Sequence, residues 1–188
     1  MPFMENTNLT HHFLIAMPQV DDPFFEKSLV YVCEHNKQGA LGIVVNRPMG
    51  ITLKELFTQL DLPSAANKAQ EPILLGGPVE SERGFILHTP KGQWQLSAPI
   101  TPHISMTTSR DLLMASAHDQ GPASMVVALG HAKWTAGQLE QEIGRNDWLY
   151  VPANADILFA YPPESRYQAA IQLLGFDFNL MPNTLGHA

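Results

Sequence analysis

The sequence predicts an α+β protein with a mixed, strongly curved β-sheet and helices packed on its outside. Three observations lead to this class. Strand-like segments cluster in the first third of the chain, helical segments are interleaved later, and the two kinds never alternate regularly. A doubly wound parallel sheet requires regular alternation of strand and helix, so that architecture is disfavoured.

The first third of the chain contains three extended, apolar runs, at residues 10–17, 28–34 and 40–46. The pentapeptide HNKQG between the last two carries Asn, Lys and Gly, which suit a short hairpin connection. We therefore expect these two strands to pair antiparallel. The segment GALGIVVNRP, residues 39–48, contains the second of them and is predicted to be the structural centre of the protein.

The first helix is predicted at residues 52–60, where Leu53, Leu56, Phe57 and Leu60 follow helical spacing. Thr52 and Glu55 are placed as a capping box at its start, and Thr135 and Gln138 repeat that pattern later. The remaining periodicities predict strands at 73–75, 84–89, 94–97, 103–107, 124–130 and 148–151, and helices at 108–119, 135–144 and 164–174, the last one stopped by Gly175.

Length and composition predict one compact domain over residues 1–188, or two packed lobes with a seam near residues 62–72. A chain of 188 residues with 45% hydrophobic content can bury a sizeable core. The seam is the stretch where composition turns to Pro, Ser, Ala, Asn and Lys. The single cysteine, Cys33, excludes an internal disulfide and a Cys-rich zinc site. No apolar run approaches the roughly 20 residues of a membrane span, and no basic flank leads into an apolar N-terminal stretch, so we expect a cytoplasmic protein without membrane attachment.

The charge balance disfavours nucleic acid as a partner. Eleven Lys and Arg stand against eighteen Asp and Glu, which gives a formal net charge of -7, and the basic residues are scattered singly. Proteins that bind phosphate backbones concentrate positive charge on one face or arm. Arg47, Arg83 and Arg110 are the residues from which folding could still assemble a basic patch.

Cys33 and His35 form the sharpest catalytic hypothesis. They are two residues apart on a predicted strand, so regular alternation would place both side chains on one face, where an imidazole can activate a thiol. The alternative is structural: Cys33 lies inside the apolar run LVYVC and is then a small buried hydrophobe, while His35 caps the turn.

Metal and cofactor motifs are not found in the sequence. The eight histidines include no HExxH pattern, and adjacent His11 and His12 would point to opposite faces of a strand. Neither a P-loop nor a dinucleotide fingerprint can be matched. Gly76 and Gly77, in the GGP sequence, could present backbone N–H groups to an anion, although a tight turn explains the same residues.

A polar patch is predicted where the third strand ends. Pro48 cannot continue a ladder, so Asn46 and Arg47 before it should be exposed. Together with other strand-end residues they offer the donors and aromatic surface of a small polar or anionic ligand site. In the alternative, Asn46 and Ser109 are caps and the arginines pair with acids. The full candidate set is Asn46, Arg47, Gly76, Gly77, Arg83, His88, Ser109, Arg110 and Trp134.

Eight segments, in this order and spacing, resemble the uncharacterised YqgE/AlgH family of bacterial proteins: HHFLIAMP, DPFFEKSLVYVCEH, GALGIVVNRP, LGGPVESERGFILHTP, MTTSRD, ALGHAKWTAGQLEQEI, WLYVPA and MPNTLGHA. The resemblance implies an α+β fold with a bifurcated sheet curled into a pseudo-barrel. Family members are often labelled transcriptional regulators. This chain departs from the family where His131 and Lys133 flank Ala132, which should change the polarity of any pocket at that strand end.

Three functional hypotheses follow. The first is a binding or regulatory protein that acts through a small ligand or a protein partner at the polar patch. The second is a thiol-dependent enzyme or redox sensor that uses Cys33 with His35. The third is the transcriptional regulator of the family label, which the acidic charge disfavours. A homo-oligomer is compatible with each of them.

Overall fold

The computed structural model describes residues 7–18, 20 and 22–175, and within them the chain forms ten strands and five helices. The strands are β1 (His12–Ala16), β2 (Leu29–Asn36), β3 (Gly39–Val44), β4 (Pro48–Thr52), β5 (Pro72–Leu75), β6 (Val79–His88), β7 (Ser97–Thr101), β8 (Ile104–Thr107), β9 (Met125–Thr135) and β10 (Trp148–Pro152). The helices are α1 (Leu53–Gln59), α2 (Asp111–Ala117), α3 (Gln138–Gly144), α4 (Ala155–Phe159) and α5 (Pro163–Leu173).

The strands form one strongly curled, half-barrel sheet in the order β10-β1-β2-β3-β9-β6-β8-β7. Every pairing along this path is antiparallel, whereas β5 lies parallel to β9 and carries β4 on its other side. The sheet therefore branches at β9, whose first half pairs with β6 and β5 and whose last residues pair with β3. The predicted α+β class with a curled, bifurcated sheet is confirmed.

Local signals predicted the first half of the sheet well. The hairpin between β2 and β3 is antiparallel, with Asn36 opposite Gly39 at its tip. Pro48 does not continue β3, which ends at Val44, and begins the separate strand β4 instead. A proline can start a strand that leaves its N–H side unpaired, and β4 pairs only with β5 among the described strands.

The helix starts differ from the predicted capping boxes. Thr52 precedes α1 but makes no side-chain cap. At α3 the cap residue is Gly137 in a left-handed conformation, while the Gln138 side chain accepts a hydrogen bond from the Thr135 N–H at 2.9 Å. Helix α4 was not predicted, and the Asn154 side chain caps it. The strand predicted at 94–97 instead begins at Ser97.

Three apolar clusters hold these layers together. The first lies between the sheet and α4 and α5 and includes Phe13, Tyr31 and Ile43. The second packs the other face of β1, β2, β3 and β9 against α3. The third lies under α1 and α2, and Ala66 of the predicted seam is buried in it, while Ala69 is also buried. No helix within the described residues is both long and apolar enough to cross a membrane.

Candidate functional site

Strand β9 is the element on which the candidate site is built. Its partner β6 pairs Val79 with His131 and then Gly84 with Leu129, so residues 80–83 bulge out opposite Gly130 alone. Gly130 adopts φ +79, which a residue with a side chain adopts only at a cost. Beyond this bulge β9 leaves β6 and pairs with β3. The irregularity therefore opens the sheet next to His131.

Gly76 and Gly77 permit the close packing of backbone beside this bulge. A Cβ on Gly77 would lie 2.0 Å from the carbonyl carbon of His131, and one on Gly76 would lie 2.4 Å from the carbonyl oxygen of Gly130. The Gly76 N–H donates to the Leu129 carbonyl at 2.8 Å. These glycines are thus accounted for by packing, and the Gly76 N–H is already paired.

His131 is the least satisfied polar side chain of the region. Only 3% of it is exposed, and its Nδ1 has no hydrogen-bond partner within the described part of the chain. The nearest carboxylate oxygen, Glu80 Oε1, lies 3.7 Å away, beyond hydrogen-bond length. Burial lowers the pKa of His131, and the Glu80 charge opposes this only in part. The ring is therefore neutral near pH 7.

Polar and aromatic side chains cluster around His131: Glu80, Arg83 and Phe85. Glu80 has φ 49, an uncommon conformation for a residue other than glycine. Its carboxylate accepts from Arg83 at 3.2 Å. The guanidinium of Arg83 lies 5.5 Å from the centre of the Phe85 ring, and that ring lies 4.9 Å from the imidazole of His131. Arg83 also donates to Thr108 Oγ1 at 3.3 Å.

A cleft of about 290 Å³ opens above His131, and we call it the polar cleft. Its floor and walls come from the tip of the β2–β3 hairpin, from the β6 bulge and from the end of β9. Acidic, basic, amide and apolar side chains all contribute. The lining residues are Glu34, Asn36, Gln38, Gly39, Ala40, Leu41, Glu80, His131, Lys133 and Trp134.

Trp134 also borders a second cleft of about 340 Å³, which we call the tryptophan cleft. The indole N–H groups of Trp134 and Trp148 both donate to Glu142 Oε1, at 3.1 and 2.9 Å. Gln138 donates to the other oxygen of this carboxylate at 2.8 Å. Glu142 therefore clamps the two indoles, which meet edge to face at 6.1 Å.

The shared face predicted for Cys33 and His35 is not formed. A β-bulge interrupts the β2–β3 register between Val32 and Glu34, so alternation breaks between the two residues. Cys33 is buried in the first core cluster, where burial raises the pKa of its thiol. His35 instead accepts from the Leu9 N–H at 3.0 Å and contacts Glu140 at 2.7 Å. The thiol and the imidazole have separate, structural partners.

The exposure predicted for Asn46 and Arg47 is also wrong, because both side chains are half-buried and hold the loop before β2. Asn46 accepts from the Leu29 N–H at 2.9 Å and donates to the Lys27 carbonyl at 2.9 Å. Arg47 donates to the Glu26 carbonyl at 2.7 Å, and its guanidinium lies 5.2 Å from the centre of the Phe24 ring.

The other predicted residues lie in separate local networks. His88 is buried; its Nδ1 faces the Thr89 carbonyl at 2.9 Å and its Nε2 faces Thr107 Oγ1 at 2.7 Å. Ser109 accepts from the Leu96 N–H at 3.0 Å. Arg110 donates to the Leu60 carbonyl at 3.0 Å. Of the predicted set, Gly76, Gly77, Arg83 and Trp134 lie at or beside the polar cleft or its His131.

Sequence reasoning missed Glu34, Glu80 and Lys133 as cleft residues. Glu34 ends a run that is otherwise apolar, and Glu80 lies between the strands predicted at 73–75 and 84–89. His131 and Lys133 were noted only as departures from the family pattern. Their spacing of two along one strand was the available signal. Within residues 7–18, 20 and 22–175, no group of three His, Cys, Asp or Glu side chains is placed to hold a metal ion.

The fold and cleft define a small α+β protein of the curled half-barrel class, and comparison with known proteins identifies its family. Residues 13–179 match the AlgH-like (DUF179) family, so the chain belongs to that family. A UPF0301 protein of Thioalkalivibrio sulfidiphilus is 51% identical over 97% of this chain and 98% of its own. A UPF0301 protein of Nitrosospira multiformis is 50% identical over 98% of this chain and all of its own.

Two solved structures share the fold. The solution structure of the AlgH protein from Pseudomonas aeruginosa is 45% identical, has a TM-score of 0.80 and covers 97% of each chain. The crystal structure of protein DIP2367 from Corynebacterium diphtheriae is 20% identical with a TM-score of 0.69, covering 97% of this chain and 92% of that one. The predicted family is thereby confirmed. The closing MPNTLGHA motif lies outside the described residues.

Proposed function

We propose that this member of the AlgH-like family is a binding protein whose polar cleft holds a small polar ligand. The observation that carries the proposal is the buried, unpaired Nδ1 of His131. An unmade hydrogen bond at a buried polar atom costs about 1–3 kcal/mol, a cost that a bound ligand can remove. His131 also lines a cleft wide enough for a small metabolite.

The backbone strain at Glu80 supports the same site. Non-glycine residues in the left-handed region cost on the order of 1–3 kcal/mol, and such outliers concentrate at ligand clamps. Glu80 is one of them, and its carboxylate faces His131 while Arg83 holds it from the other side. The unpaired Nδ1 of His131 and the left-handed backbone of Glu80 thus both lie at the polar cleft.

Binding is better supported than covalent catalysis. The described residues that line the polar cleft include no Ser, Thr or Cys, and the buried Cys33 lies in the core. A regulatory role would follow if ligand occupancy were read by another component of the cell. We assign this role to the cytoplasm, because the single buried thiol suits a reducing compartment.

The test is a screen followed by mapping. Thermal-shift assays would compare free amino acids, dicarboxylates, nucleosides and sugar phosphates at millimolar concentration, and amide chemical shifts would then locate each stabilising compound. We expect at least one compound to stabilise the protein and to shift the amides of Gly39, Leu41 and Lys133. His131→Leu should weaken that binding, and His118→Leu, at an exposed histidine, should not. If no compound shifts these amides, the proposal is wrong.

A further inference from the structure

Three residues on neighbouring strands cross the polar cleft in one row. Glu34 of β2 lies directly opposite Leu41 of β3, and Leu41 lies directly opposite Lys133 of β9. Residues that are opposite each other in a sheet project from the same face. Two strand spacings separate Glu34 from Lys133, so their Cα atoms are about 10 Å apart. The polar cleft therefore has an acidic wall at Glu34 and a basic wall at Lys133.

The floor between these walls is apolar and low. Leu41 supplies the side chain at its centre, and Gly39, one step toward the hairpin tip on the same face, has none. A side chain at Gly39 is also blocked by the backbone of β9, because a Cβ there would lie 2.1 Å from the Trp134 carbonyl oxygen. Gly39 therefore adds no side chain to the floor of the polar cleft.

The two charges do not neutralise each other. Glu34 accepts a hydrogen bond from the Asn36 amide at 3.2 Å and has no cation within 4.0 Å among the described residues. The Lys133 side chain makes neither a hydrogen bond nor an ion pair within the same part of the chain, and it is exposed. The Glu34 carboxylate and the Lys133 ammonium group line the same cleft without touching each other. A ligand in the cleft therefore meets a negative charge on one side and a positive charge on the other.

We propose, on the basis of the binding function above, that the ligand is a small zwitterion with an ammonium group and a carboxylate, as in a free amino acid. The ammonium would pair with Glu34 and the carboxylate with Lys133, while the carbon skeleton would lie over Leu41. A purely anionic ligand would face the carboxylates of Glu34 and Glu80, and a purely cationic one would face Lys133. Either ligand would place like charges next to each other, so the polar cleft disfavours both.

His131 adds a contact of a different kind at the inner end of the cleft. It is neutral and its Nδ1 has no hydrogen-bond partner within the described residues, so a hydroxyl, amide or other uncharged polar group of a ligand that reaches this nitrogen can bond to it. The cleft volume of about 290 Å³ matches a metabolite of amino-acid size. We therefore expect polar side chains to be preferred over large aromatic ones.

The experiment compares free amino acids with derivatives that lack one charge. Calorimetric titrations would use each stabilising amino acid, its N-acetyl derivative and its carboxamide. We expect removal of either charge to weaken binding at least tenfold. Glu34→Gln should abolish the discrimination against the N-acetyl derivative, and Lys133→Met should abolish it against the carboxamide. Glu55→Gln and Lys91→Met alter exposed residues elsewhere and should keep both preferences.

The outcomes separate the ligand class from the binding function. If a compound with a single charge binds as tightly as the zwitterion and shifts the amides of Leu41 and Lys133, the ligand class is wrong and the binding function stands. If no small polar compound shifts these amides, both are wrong. If neither Glu34→Gln nor Lys133→Met changes the binding of a zwitterion, the proposed ligand class is also wrong, because Glu34 and Lys133 then take no part in binding. Circular dichroism would verify that each variant is folded.

Discussion

Replacing Glu142 by leucine should destabilise the fold through the two tryptophans that it holds. Both indole N–H groups donate to one oxygen of this carboxylate, and both tryptophans are 3% exposed. Leucine keeps much of the bulk and removes the acceptor. A buried donor left without a partner costs about 1–3 kcal/mol, so two of them cost about 2–6 kcal/mol. Because Glu142 is half-buried and water can reach part of the site, we expect about 2–4 kcal/mol.

This loss corresponds to a melting temperature about 5–15 °C lower, since 1 kcal/mol shifts a chain of this size by roughly 2–4 °C. Urea unfolding monitored by tryptophan emission would measure it directly, because two of the three tryptophans are the indoles concerned. Glu142→Gln keeps an acceptor oxygen and should lose less than half as much. Gln141→Leu, at an exposed position on the same helix, serves as the control. If the Glu142→Leu variant were no less stable than the Glu142→Gln variant, the hydrogen bonds from the two indoles to Glu142 would not contribute to stability.

The remaining predictions concern other parts of the chain. Gly77→Ala should cost at least about 2 kcal/mol in urea unfolding because its Cβ overlaps backbone, whereas Gly144→Ala, with open space, should not. Cys33 should resist alkylation in the folded protein at neutral pH, since burial raises the pKa of its thiol, and should react fully in denaturant. Burial lowers the pKa of His88, so the unfolded chain takes up its proton first and stability should fall as pH drops below about 6.5; His88→Gln should flatten that fall in urea midpoints. Titration with mixed DNA fragments at low and moderate salt should show no salt-sensitive binding, and a steep salt dependence would instead support the regulator hypothesis.

The parts of the fold that were predicted correctly depend on short-range signals. Apolar runs and the polar pentapeptide between β2 and β3 lie within a few residues of each other, so the hairpin could be inferred without tertiary information. The same holds for α5, where Gly175 takes φ 84 just after the helix. Periodicity and a stop residue are local properties, and sequence reports them directly.

The errors arose where one irregular residue changes the register. The bulge between Val32 and Glu34 separates Cys33 from His35, and nothing in LVYVCEH marks it. At Gly130 the error is the opposite one, because the sequence predicts a strand that ends at this glycine. It is instead a left-handed position inside β9, which continues to Thr135. The alternation of side chains along a strand predicts the face on which each residue lies only as far as the next β-bulge.

The polar cleft could not be predicted, because its two charged walls are 99 positions apart in sequence and become neighbours through β3 alone. Glu34 and Lys133 each pair with Leu41 in the sheet, and that shared register is a tertiary fact. By contrast, Asn46 and Arg47 are predicted as site residues because they are polar and lie at a strand end. The structure uses their side chains to hold a loop, which a polar strand end permits as readily as binding.

The bulge in β6 explains why a polar site forms at this position. If β6 followed β9 without a bulge, Glu80 and Arg83 would lie in the ladder. Residues 80–83 instead stand opposite Gly130 alone, and β9 pairs with β3 just beyond that point. This end of β9 presents His131 and Lys133 beside Glu80. The left-handed backbone at Gly130 and Glu80 and the cleft beside His131 all lie at this one irregularity, and a variant that removed the bulge should lose all three together.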